Sequence, residues 1–199
     1  MDRQNTIGQR KRELRSELRA RLAAMTPQGR ADASARLRER LEARPEWSEA
    51  ASILFYAPIR DEPDIWPLAA AALSLGKVVA LPHFSVAAAK YLACRIHNIE
   101  TDVASGHFGI REPAADRASE TLKRLDLILV PGVGFDLCCR RLGRGKGYYD
   151  QILAVVEGRK CGVGFDEQLV DRIPLEPHDV PLNCILTPTR WIEPSAVGL

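Results

Sequence analysis

S-I-L-F-Y-A at Ser52–Ala57 and K-V-V-A-L at Lys77–Leu81 flank an Ala-rich stretch, Asp64–Leu75, that Gly76 closes. Each flanking run is short, apolar and bounded by turn residues, as buried strands are. The middle stretch has the length of a helix. The three pieces therefore make a β-α-β unit, whose two strands run parallel with a right-handed crossover.

The same alternation continues outward. D-L-I-L-V (Asp126–Val130), K-C-G-V-G-F (Lys160–Phe165) and Asn183–Leu186 read as further strands, and K-Y-L-A-C-R-I-H (Lys90–His97) as an antiparallel one. A helix is expected over Tyr148–Glu157. Upstream, Thr6–Ala24 carries Leu14, Leu18 and Leu22 every fourth residue, one narrow buried helical stripe. Thr26-Pro27 starts a second helix that runs to about Leu41, with Thr26 as cap. The expectation is an α/β chain: a three-layer α/β/α fold with a largely parallel sheet, the N-terminal helical pair packed on it, and residues 1–199 forming one domain.

Composition excludes several classes. At 46% apolar and 27% charged residues, the 199-residue chain is globular and not disordered overall. Its longest apolar stretches, such as Leu125–Val130 and Ile152–Val156, are too short to span a bilayer. The Arg-rich start has no apolar signal region, so a cytoplasmic protein without a membrane partner is expected. Five scattered cysteines (94, 138, 139, 161, 184) with no C-x-x-C argue against a disulfide framework or zinc site. They read as reduced thiols, mostly packed. The net charge is only +2, yet residues 1–44 hold twelve Lys/Arg against six Asp/Glu. This basic arm is a solvated helix face, a nucleic-acid contact, or a source of phosphate ligands.

R-R-L-G-R-G-K-G-Y-Y-D (Arg140–Asp150) carries the chemistry. Gly143, Gly145 and Gly147 let the backbone turn and approach a ligand closely. Arg141, Arg144 and Lys146 add full positive charges, and the amides of the following helix start favour an anion. The run is not a Walker A loop, because Gly147 and not Ser or Thr follows Lys146. Asp150 is either a Mg²⁺ ligand beside a polyphosphate or an N-terminal helix charge. His178-Asp179, in a Pro-rich loop, is a second such candidate or an ordinary turn.

P-G-V-G-F-D (Pro131–Asp136), R-L-G-R-G-K-G-Y-Y-D (Arg141–Asp150), G-V-G-F-D-E-Q (Gly162–Gln168) and P-x-x-x-H-D (Pro174–Asp179) resemble the 5-formyltetrahydrofolate cyclo-ligase family. K-R-E-L-R (Lys11–Arg15) looks like that family's start, and the resemblance covers about Lys11 to Leu186. It implies ATP-dependent closure of 5-formyltetrahydrofolate to 5,10-methenyltetrahydrofolate, releasing ADP and phosphate. It also implies ATP contacts from Lys11, Arg15, Arg141, Gly143, Arg144, Gly145, Lys146, Gly147 and Tyr149. Folate contacts would come from Glu62, Phe108, Arg144, Lys146 and Tyr148, with Phe108 standing where some members carry Trp. Asp150 and Asp179 match the magnesium ligands. On this reading Lys146 and Arg144 are the catalytic cations, the substrates are the only partners, and the protein is a monomer.

Two other readings compete. A paralogue could keep the nucleotide site and act on another substrate, although Glu62 and Tyr148 stand at folate positions. A nucleic-acid-binding module would use the basic arm, but that arm lacks interleaved aromatics and the total charge is near neutral.

Overall fold

Neighbouring residues of each central strand point to opposite faces of one sheet, and both faces are buried. The computed structural model describes residues 2–86, 90–106, 109–114 and 121–194, with side chains from residue 7 onward. Five strands run parallel, in the order β12 (Cys184–Leu186), β10 (Glu157–Val163), β7 (Arg124–Pro131), β1 (Ser52–Leu54) and β2 (Val78–Ser85). Antiparallel strands close both edges. β13 (Trp191–Ile192) pairs with β12, and β3 (Lys90–Ile96) followed by β6 (Thr121–Leu122) extends beyond β2.

Ile53, Val79, Leu81, Leu127 and Leu129 face one side, against Leu37 and Leu41 of α2 (Pro27–Glu42) and Leu68 and Ala72 of α4 (Trp66–Ser74). Leu54, Ala80, Ile128 and Val130 face the other, with Phe135 and with Ile152 and Leu153 of α6 (Tyr148–Leu153). A strand buried on both faces must be apolar at every position, which is why these runs do not alternate in sequence. The layers are α/β/α, as expected. No helix among the described residues is long and apolar enough to cross a membrane.

The two N-terminal helices have different seats. Thr26 caps α2 by accepting the Gly29 N–H at 3.0 Å, and α2 lies on the large sheet. In α1 (Asp2–Ala24), Leu18 packs on Val133, Leu142 and Ile173, while Leu22 meets Ala33 and Phe165. Val133 and Leu142 belong to a smaller unit that sequence reading did not foresee. There β8 (Gly134–Asp136) lies between β9 (Arg141–Leu142), antiparallel to it, and β11 (Leu169–Val170), parallel to it. Buried Asp136 organises this unit by accepting the N–H groups of Cys138, Arg140 and Ile173. Cys139 turns the hairpin in a left-handed conformation, φ 58°. The glycine run therefore leaves this hairpin, and does not follow directly from the strand at 126–130.

Other boundaries shift for local reasons. The helix expected to reach Glu157 ends at Leu153, and Glu157 already opens β10. β1 covers only Ser52–Leu54 of the run read as a strand, yet Phe55, Tyr56 and Ala57 stay buried. A second hairpin pairs β4 (Val103–Ser105) with β5 (Arg111–Pro113), and β5 packs along β2.

Candidate active site

Residues 143–147 bridge β9 and α6. Gly145 (φ 97°) and Gly147 (φ 69°) adopt left-handed backbone that side-chain-bearing residues rarely take, which explains two of the three glycines. The loop's exposed tip, Arg144 to Gly147, borders a cavity of about 150 Å³. Glu62, Tyr91 and the Ile110–Glu112 segment form its other walls.

Arg141, Arg144, Arg15 and Lys11 each hold an oxygen. Arg141, only 5% exposed, meets Asp150 Oδ1 through Nη2 at 2.5 Å. Arg144 reaches Glu62 Oε1 at 3.1 Å. Arg15 of α1 donates from Nε to the Gly143 carbonyl at 2.8 Å. Lys11, one helical turn earlier, is buried, with Nζ 2.7 Å from Glu176 Oε2 and 2.6 Å from Asp179 Oδ2. Burial and Arg19 lower the pKa of Arg15, opposed by Glu176 and Asp179. Arg15 therefore feels the carboxylates that hold Lys11 while it binds the loop through the Gly143 carbonyl.

Burial acts on two groups at the cavity. Burial raises the pKa of the Glu62 carboxyl, and Arg144 offsets only part of that rise. Burial, with Glu62 nearby, pushes the Tyr149 phenol well above its usual value. Lys146 Nζ lies 5.8 Å from the Tyr148 ring centroid. The Tyr148 ring meets that of Tyr91 at 5.1 Å, and Tyr91 meets Phe84 at 5.2 Å. Tyr148 and Tyr91 thus form an aromatic wall of the cavity beside the cationic loop, with Phe84 packed behind Tyr91.

The fold brings most of the residues singled out in sequence to one place. Glu62, Arg141, Gly143, Arg144, Lys146, Gly147, Tyr148, Tyr149 and Asp150 line the cavity. A Cβ built on Gly145 would make only an ordinary contact, 3.5 Å, with the Arg15 guanidinium carbon, so it is the left-handed backbone there that calls for glycine. Lys11 and Asp179 form the adjoining cluster. Phe108 lies outside the described residues. Sequence reading missed Glu176, Tyr91 and Glu112, since a lone carboxylate in a loop and a tyrosine in a strand carry no local signal. Glu176, His178 and Asp179 place ligand atoms within 4.8 Å of one another, and Lys11 already sits against the two carboxylates.

Residues 7–188 match the sequence profile of the 5-formyltetrahydrofolate cyclo-ligase family. The chain belongs to that family. The matched span takes in most of the basic arm, the glycine loop and the 174–179 loop. Among cyclo-ligases, the chain is 38% identical over 147 residues to the 5-formyltetrahydrofolate cyclo-ligase of Mycolicibacterium smegmatis, covering 71% of this chain and 75% of that one. It is 30% identical over 193 residues to the mouse (Mus musculus) cyclo-ligase, covering 91% and 95%. The fold matches the NMR structure of Aquifex aeolicus 5,10-methenyltetrahydrofolate synthetase with a TM-score of 0.82 at 32% identity, over 95% of each chain.

Proposed function

We propose that this protein closes 5-formyltetrahydrofolate to 5,10-methenyltetrahydrofolate, converting ATP to ADP and phosphate. The observation that carries the reading is the juxtaposition of two unlike surfaces in one cavity: a cationic glycine loop and the packed rings of Tyr148 and Tyr91. The first suits a polyphosphate and the second a flat, largely apolar ring system.

The chemistry follows in two steps. The formyl oxygen on N5 attacks the γ-phosphorus, forming an O–P bond as the bond to ADP breaks. N10 then adds its lone pair to the activated formyl carbon. The C–O bond breaks, phosphate leaves with the N10 proton, and the five-membered ring carries the positive charge. Neither step needs a protein nucleophile; both need position and charge compensation. We assign that compensation to Lys146 and Arg144, exposed on the loop where they can follow a moving phosphoryl group. Gly143, Gly145, Gly147 and Tyr149 would shape the nucleotide seat. Lys11 and Arg15 would bring the basic arm, residues 1–44, to the same phosphates. Glu62, Tyr148 and Phe108 are the folate contacts on this reading.

Asp150 and Asp179 offer carboxylate oxygens, the hard donors Mg²⁺ prefers, and Asp150 borders the cavity with only one oxygen given to Arg141. Asp179 holds both Lys11 and the Glu176 N–H through Oδ2. Both residues fit as ligands, Asp150 more directly. When bound there, Mg²⁺ would neutralise part of the triphosphate charge. Five free thiols suit a reducing, cytoplasmic setting. A monomer is proposed; its mass in solution would test that.

The experiment is spectrophotometric. With MgATP and 5-formyltetrahydrofolate, methenyl absorbance should appear together with stoichiometric ADP. No absorbance change under those conditions would sink the reading in favour of a paralogue acting on another substrate.

A further inference from the structure

Arg30, Ser34 and Arg38 recur every fourth residue along α2 and so share one stripe of that helix. All three bond the loop between β1 and α4. Arg30 Nη1 donates to the Arg60 carbonyl at 2.8 Å and lies 3.1 Å from Asp61 Oδ1. Ser34 Oγ accepts the Asp64 N–H at 3.1 Å, and Arg38 Nη1 donates to the Asp64 carbonyl at 2.9 Å. Tyr56, buried just past β1, donates its hydroxyl to the Pro63 carbonyl at 2.9 Å.

Residues 60, 61, 63 and 64 are thus each held, and Glu62 stands between them. Its side chain, 7% exposed, lines the cavity and holds Arg144 and the Ile59 N–H. Two cations of the basic arm, Arg30 and Arg38, are therefore committed to the backbone of this loop. A buried carboxylate gains by swinging out to water, so a loop that carries one inward has to be held. Arg144 alone is a poor anchor for Glu62, because it stands on the glycine loop and, in the proposed reaction, turns to the phosphoryl group.

We infer that Arg30 is a positioning residue for the folate substrate: by fixing residues 60 and 61 from α2, it keeps Glu62 at the cavity while Arg144 engages phosphate. This rests on the folate reading above. Arginine suits the task because one planar guanidinium serves several acceptors at once. Arg30 Nη2 also donates to the Leu22 carbonyl near the end of α1, and Asp61 compensates its charge.

Calorimetry of the full chain tests this, with a non-hydrolysable ATP analogue as nucleotide and 5-formyltetrahydrofolate titrated in its presence. Arg30→Met should weaken 5-formyltetrahydrofolate by about 10-fold, the effect of one hydrogen bond to a charged group. The Kd of the analogue should stay within about twofold, since Lys11 and Arg15 keep their own partners. Arg30→Lys, which keeps the charge but not the fork, should fall between wild type and Arg30→Met, and it supplies the readout if Arg30→Met does not fold. In a Glu62→Gln background, Arg30→Met should cost less than about twofold further, because both changes act on one contact. Unchanged folate binding in the folded variants, a lowered Tm with both Kd values unchanged, or effects that multiply with Glu62→Gln overturn the inference and leave the folate reading standing. Wild type that binds no 5-formyltetrahydrofolate overturns both.

Discussion

Lys11 and Asp179, 168 positions apart, meet at 2.6 Å, and the ammonium they share with Glu176 is buried. This contact fastens the first helix to the loop after β11. A buried ammonium needs carboxylates around it, and two adjacent carboxylates need a cation between them. The cluster is therefore mutually dependent. Arg15 on the same helix face extends it to the Gly143 carbonyl, so the arm also braces the glycine loop.

Lys11→Met should destabilise the protein by about 3 kcal/mol, because it strands two carboxylates beside each other in a partly buried site. Urea unfolding at neutral pH measures this. The KM for ATP should rise in the same variant. Unchanged stability would mean that water already screens the cluster.

Lys146→Ala should leave stability unchanged, since the residue is exposed on a loop, and should lower kcat by about 100-fold or more. Steady-state assays alongside thermal unfolding separate the two effects. Wild-type turnover in this variant would remove Lys146 from the catalytic assignment.

Gly147→Ala places a side chain at φ 69°, a left-handed position that costs about 1 kcal/mol for a residue with a Cβ. Nothing lies within 4 Å of the added methyl, so the expected loss is conformational and confined to the start of α6. ATP affinity should fall several-fold with only this modest change in unfolding free energy. Equilibrium nucleotide binding provides the measurement.

Stability should decline in alkaline solution. Burial pushes the Cys94 thiol up to about 11 and the Cys139 thiol up to about 12 from an ordinary 9.0. Above pH 9 the unfolded chain loses these protons while the folded chain keeps them. The unfolded state then binds fewer protons, so unfolding free energy falls as pH rises through the window from 9 towards 11 and 12. Below pH 9 the contribution is fully present. Replacing Cys139 with Ala should flatten part of that slope in denaturant titrations, and exposed Cys138 should be the thiol that reacts fastest with a maleimide at pH 7.

Much was legible in the chain itself because it depends on local order. Doubly buried strands must be largely apolar, so Ser52–Ala57, Lys77–Leu81 and Asp126–Val130 announced a layered α/β sheet. Left-handed turns need glycine, and phosphate needs cations, so 141–150 announced an anion loop by composition. Family resemblance named the reaction and pointed to Lys11 and Asp179, but not to what each would touch. Long-range pairing alone decided that. Asp136, buried and satisfied by three backbone N–H groups, folds 131–142 into a hairpin that no periodicity forecast. Packing of Leu18 on that hairpin carries Lys11 to Asp179 and Arg15 to Gly143. Tyr91 and Glu112 reach the cavity because β2 pairs with β3 and β5 lies along β2. A tyrosine in a strand or a glutamate in a hairpin becomes part of a site only when another segment is placed against it, and that placement follows from burial across the whole core.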